Sequence, residues 1–96
     1  MKNLVNEVEI KSGVYAVRQG PDIKVRYGNQ IYSFEFADDI KIEGDFIIAK
    51  VQHNKLEIAH LNRLNRVYTV DDCKLISENR LMAITERNRI IIFNSH

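Results

Sequence analysis

Asp38-Asp39-Ile40-Lys41-Ile42 is answered 33 positions later by Asp71-Asp72-Cys73-Lys74-Leu75. A fixed period of this length decides how the rest of the chain is read, because a repeat missed is a fold misread. Working outward, Val8-Glu9-Ile10-Lys11 stands 32 positions before Ile40-Lys41-Ile42-Glu43. Each start leads through a polar turn into an apolar run: Val14-Tyr15-Ala16-Val17, Phe46-Ile47-Ile48-Ala49 and Leu81-Met82-Ala83-Ile84. A second polar turn leads into Ile23-Lys24-Val25-Arg26-Tyr27, Leu56-Glu57-Ile58-Ala59 and Ile90-Ile91-Ile92-Phe93. The first two units continue into Ile31-Tyr32 and Val67-Tyr68, whereas the third stops at Asn94-Ser95-His96.

These segments read as strands, being short, rich in Ile, Val, Phe and Tyr, and alternating at period two in several places. In Gln30-Ile31-Tyr32-Ser33-Phe34-Glu35-Phe36 the alternation sets Tyr32, Phe34 and Phe36 on the core side, to be buried with Ile47, Ile58 and Ile91. The punctuation agrees. Gly28-Asn29 is a two-residue hairpin signal, and Pro21 keeps Gly20-Pro21-Asp22 out of any central strand. Glu43-Gly44-Asp45 and Ser77-Glu78-Asn79 read as its counterparts in the later units, and Arg87-Asn88 repeats the place of His53-Asn54. One stretch pulls the other way. Asn54-Lys55-Leu56-Glu57 carries a helix-cap pattern, and Leu56, Ala59, His60, Leu64 and Val67 share a helical face. The repeat favours strand–turn–strand over 55–67, since Ile23-Lys24-Val25 and Ile90-Ile91-Ile92 hold the same place and are poor helix formers.

A unit of about 33 residues holding four short strands and tight turns resembles a β-propeller blade. Ile42 to Ala49 followed by Asn54 to Ile58, and Ser77 to Phe93, have that outline. The resemblance implies an all-β fold of about three antiparallel sheet repeats, with units near 8–39, 40–72 and 73–96. A small β-prism or barrel is the alternative. Residues 1–7 are expected to complete the last unit, Asn3-Leu4-Val5 standing in for its missing strand. Three units still close a ring poorly, so a homodimer completing a six-unit ring, or membership of a larger propeller, is expected in place of an open sheet edge.

Composition bounds the function. Fourteen Lys and Arg against thirteen Asp and Glu leave a net charge of +1, too little for a strong nucleic-acid or membrane argument. No apolar run nears the roughly 18 residues of a membrane span. A single cysteine, Cys73, and an N-terminus without an apolar signal region suggest the cytoplasm. At 96 residues the chain is read as a single domain.

Candidate chemistry is sparse. His53, His60 and His96 lack metal-ligand spacing, and the doublets Asp38-Asp39 and Asp71-Asp72 hold equivalent positions that suit amide acceptance better than acid–base work. Cys73 aligns with the apolar Val8 and Ile40, which points to a core thiol without catalytic use. No metal, cofactor or catalytic residue is expected, and the chain is not expected to be an enzyme. Residues 1–48 carry six basic and eight acidic side chains, and residues 49–96 carry eight and five. Arg63, Arg66, Tyr68, Arg87 and Arg89 in that basic half form the candidate binding set. The expected function is a binding or scaffold module working through protein contacts and self-association. The alternatives are nucleic-acid binding through the arginines and a lectin-like ligand domain.

Overall fold

The computed structural model describes residues 7–95, and within them the chain forms eleven strands. β1 (Val8–Lys11), β2 (Val14–Gln19), β3 (Asp22–Tyr27) and β4 (Gln30–Phe34) make the first sheet in sequence order. β5 (Ala37–Glu43), β6 (Phe46–Val51), β7 (Lys55–His60) and β8 (Tyr68–Val70) make the second, and β9 (Asp72–Ser77), β10 (Arg80–Ile84) and β11 (Ile90–Asn94) make the third. Every pairing is antiparallel. The fold is all-β, three repeated sheets of four, four and three strands, none of them closed into a barrel. No helix among the described residues is long and apolar enough to cross a membrane.

The sheets stack, and the middle one explains the most apolar run. Phe46, Ile48, Ile58 and Val70 are buried against Leu81 and Ala83 of the third sheet. Ile47, Ala49, Val51 and Ala59 are buried against Val14, Ala16, Val25 and Phe34 of the first. Successive strand residues point to opposite faces, so a strand covered on both faces must be apolar at consecutive positions. That is why β6 reads Phe-Ile-Ile-Ala rather than alternating. The Tyr68 and Phe93 rings, 5.0 Å apart, extend the contact of the second and third sheets.

Segment 55–67 is a strand and a turn. Leu56 and Ile58 face the third sheet while Ala59 faces the first, and a short 3₁₀ turn follows at Leu61–Arg63. Gln30 holds that turn in place. Its side-chain amide donates to the Leu61 carbonyl at 3.2 Å and its Oε1 accepts from the Leu64 amide at 2.9 Å, seating Leu64 in the core.

Several expectations are corrected. Phe34, Ile47 and Ile58 are buried, but Phe36 is 52% exposed and Ile91 39%, while Tyr32 is only half-buried. Phe36 lies past the end of β4 at φ 52°, in the link to β5, where strand alternation no longer applies. Ile91 lies on the strand that edges the third sheet. Cys73 is half-buried at the rim of the second cluster, so it is not a sealed core thiol; its apolar counterpart Val8 is itself 58% exposed. The turn matching Gly44-Asp45 and Glu78-Asn79 is Ser12-Gly13, between β1 and β2, whereas Gly20-Pro21 joins β2 to β3. The equivalence of Asn54 and Asn88 stands, both at left-handed φ of 58° and 57° in the following turn. The proposed closing strand Asn3-Leu4-Val5 lies outside the described residues.

Candidate functional site

Strand directions place the candidate arginines. β6 starts opposite the end of β7, Phe46 pairing with His60, so the Gly44-Asp45 turn and the turn after His60 lie at one end of the second sheet. The Asp45 carbonyl accepts from the Leu61 amide at 3.0 Å, and the Asp45 amide donates to the Glu78 carbonyl at 2.9 Å. The β9–β10 turn therefore joins the same end. Arg63 and Arg66 sit here, the Arg66 amide donating to the Arg63 carbonyl at 3.0 Å.

Arg87 and Arg89 sit at the other end, one strand length of about 17 Å away. Their turn is closed by the Thr85 amide donating to the Arg89 carbonyl at 2.9 Å and the Arg89 amide donating to the Thr85 hydroxyl at 3.2 Å. Tyr68 starts β8 opposite Ile58 and spends its ring on Phe93. The five-residue set is thus split, with Arg63 and Arg66 brought together and Arg87 and Arg89 held apart from them.

What gathers at the Arg63 end is a cleft that the sequence does not announce. Two adjoining hollows of about 220 and 260 Å³ share His60, Asn62 and Ser95, with Tyr27 and Asp45 on one side and Arg63 and Asn94 on the other. Ser95 donates its hydroxyl to Asp45 Oδ2 at 2.6 Å, tying the end of the third sheet to the middle one. Asn94 Oδ1 accepts from Arg80 Nε at 3.2 Å. His60 closes β7 with its ring 4.8 Å from that of Phe46. Burial, together with the charge of Arg63, holds the imidazole below its ordinary pKa, against the smaller pull of Asp45.

At the opposite end Lys55 bonds Asp71 and lies 3.5 Å from Glu86. Cys73 has its thiol pushed up by burial first and then by Glu43 and Asp72. That leaves little thiolate for nucleophilic work at neutral pH. Among the described residues no cluster of three or more His, Cys, Asp or Glu is arranged to hold a metal ion.

The third sheet also leaves a surface uncovered. Leu81 and Ala83 turn towards the second sheet, so Met82 and Ile84 turn away from it. Across the ladder, Ile84 lies between Asp72 and Ile90, and Met82 between Lys74 and Ile92. Ile90 is 65% exposed and Ile92 39%. The chain matches no protein-family description, no curated protein and no solved structure.

Proposed function

We propose that the chain is a non-enzymatic binding module that associates with a second copy of itself through the third sheet. The observation that carries this reading is β11, Ile-Ile-Ile-Phe-Asn, which edges that sheet with no charged residue along its length. Sheet edges are usually guarded by charge, proline or shortness. Here β1, β5 and β9 carry charged residues, β8 has three residues and β4 sets Gln30 and Ser33 among its apolar residues, so β11, with three consecutive isoleucines, is the most apolar edge among the described residues. Its pairing with a copy about a two-fold axis at Ile92 sets Ile91 opposite Phe93 and extends the apolar face of Met82, Ile84, Ile90 and Ile92.

A copy offering its first sheet instead would bury Lys24 and Arg26 against isoleucine, at a desolvation cost that apolar contact does not offset. The alternative of nucleic-acid binding draws no support from arginines divided between two ends. A reducing cytoplasm suits the half-buried single thiol. Sedimentation velocity from about 5 to about 200 μM should show concentration-dependent dimer. Ile92→Lys should return a monomer whose melting temperature matches that of the parent at concentrations too low for dimer. A parent that stays monomeric over this range, or a variant that still dimerises, rejects the reading.

A further inference from the structure

We propose that the cleft between the second and third sheets, lined by His60, Asn62, Arg63 and Asn94, binds a small oxyanion such as a sulfate or phosphate group. Among the described residues no carboxylate lies within ion-pair distance of Arg63, which lines the cleft without a charge partner. Asn94 has its oxygen occupied by Arg80, which leaves the two amide hydrogens to donate. Asn62 adds a further amide and His60 a ring N–H.

Among the described residues the one carboxylate lining the cleft is Asp45, which already accepts the Ser95 hydroxyl on one oxygen. Among the described residues, Arg63 and Arg80 against Asp45 give one positive charge while His60 is neutral, and two when it is protonated. A guanidinium with converging amide donors is the arrangement that recognises an oxyanion, through charge-assisted hydrogen bonds. The groups come from the β5–β6 turn, the end of β7 with its following turn, and the end of β11. The hollow therefore exists only once the two sheets are stacked.

The site uses residues of one copy, so it stands or falls independently of self-association. The probe is sulfate, which keeps its charge across the pH range where His60 titrates. Sulfate titrated into the ¹⁵N-labelled full chain, at ionic strength held constant with chloride, should give saturable shifts at Arg63 Nε, the Asn94 side-chain amide and the His60 ring. Affinity should tighten as pH falls through the depressed His60 pKa, because the bound dianion favours imidazolium.

Arg63→Gln should weaken binding about tenfold, the order of one charge-assisted contact. Arg66→Gln, in the same turn but outside the cleft lining, should change it less than about twofold. Among the described residues Arg63 makes no side-chain hydrogen bond, and an unchanged spectrum away from the cleft verifies that its variant is folded. Shifts that rise linearly without saturating, equal losses in the two variants, or a stronger response to neutral glycerol than to sulfate would each overturn the proposal.

Discussion

Asp39 and Asp72 hold matching hydrogen bonds, the Oδ1 of Asp39 accepting from the Ile40 amide at 2.9 Å and the Oδ1 of Asp72 from the Cys73 amide at 2.8 Å. Each sits near the start of the first strand of its sheet, so the period written in the sequence is a period of backbone hydrogen bonding. Asp39→Ala and Asp72→Ala should therefore destabilise alike, by about 0.5–1.5 kcal/mol each, as solvent-exposed side-chain hydrogen bonds do. Urea unfolding should find the double variant additive within about 0.5 kcal/mol, since the two sites share no partner. A large loss in only one variant would mean that the repeat positions differ in role.

Ile47 faces the first sheet with none of its surface exposed, whereas Ile91 is 39% exposed at the stack's end. Ile47→Ala should cost about 2–5 kcal/mol, the range for large-to-small changes in a packed core. Ile91→Ala should cost well under half of that, since much of its side chain already meets water. Denaturant midpoints at equal slope measure both.

That contrast marks what could be read in advance. The strands, their hairpins and the threefold repeat were legible because alternation and turn residues are local. The apolar run Phe46-Ile47-Ile48-Ala49 was legible as a strand, but its burial on both faces follows only from the stacking of the sheets. Phe36 and Ile91 were not, because their exposure depends on where β4 ends and on which sheet stands last in the stack. Nor could alternation show that Gln30 spends its side chain on the Leu61–Arg63 turn, 31 and 34 residues away. The cleft was least legible of all. Asp45, His60 and Ser95 belong to three different repeat positions, and only the shared end of their turns, visible once strand pairing is known, brings them together.

Cys73 tests how open the rim of the second cluster is. Its half-burial and raised pKa together predict labelling by a thiol reagent in the native state, slower than in the denatured chain. Glu43→Gln should speed native labelling at neutral pH by removing one of the charges that oppose the thiolate. Labelling only after denaturation would show a sealed thiol instead.

Gly44 locks the second sheet to the third. Its φ is +57°, and a Cβ placed there would lie 2.3 Å from the Glu78 carbonyl oxygen, the same oxygen that accepts the Asp45 amide. Gly44→Ala combines left-handed strain with a backbone collision, so the two turns must part. Gly20→Ala, at φ +61° with nothing within 4 Å, adds the strain alone. The first should cost on the order of 1–3 kcal/mol more than the second, and hydrogen exchange should rise in β9 to β11 for Gly44→Ala only. Equal costs with no local exchange would remove the turn contact as the lock.

Glu57 supplies the pH dependence. It lies on β7 between the first and second sheets, with Oε1 buried and, among the described residues, without a hydrogen-bond partner. Burial raises its pKa above the ordinary 4.5, and repulsion from Glu35 adds to the rise. A carboxyl raised in the folded state binds its proton more tightly there than in the unfolded chain. Its contribution to stability is therefore fully present below pH 4.5 and is lost as pH rises through the elevated folded value. Glu57→Gln keeps the shape and removes the charge, so its melting temperature should exceed the parent's at pH 7. The difference should shrink on acidification and vanish below pH 4.5, where both side chains are neutral. The Tyr32 hydroxyl, raised by burial and then by Glu57 and Glu35, should move back towards its ordinary value in the same variant. Melting curves across pH 3–8 and an absorbance titration of tyrosine measure the two effects. A gap in melting temperature that stays constant with pH would assign the effect to packing rather than to charge.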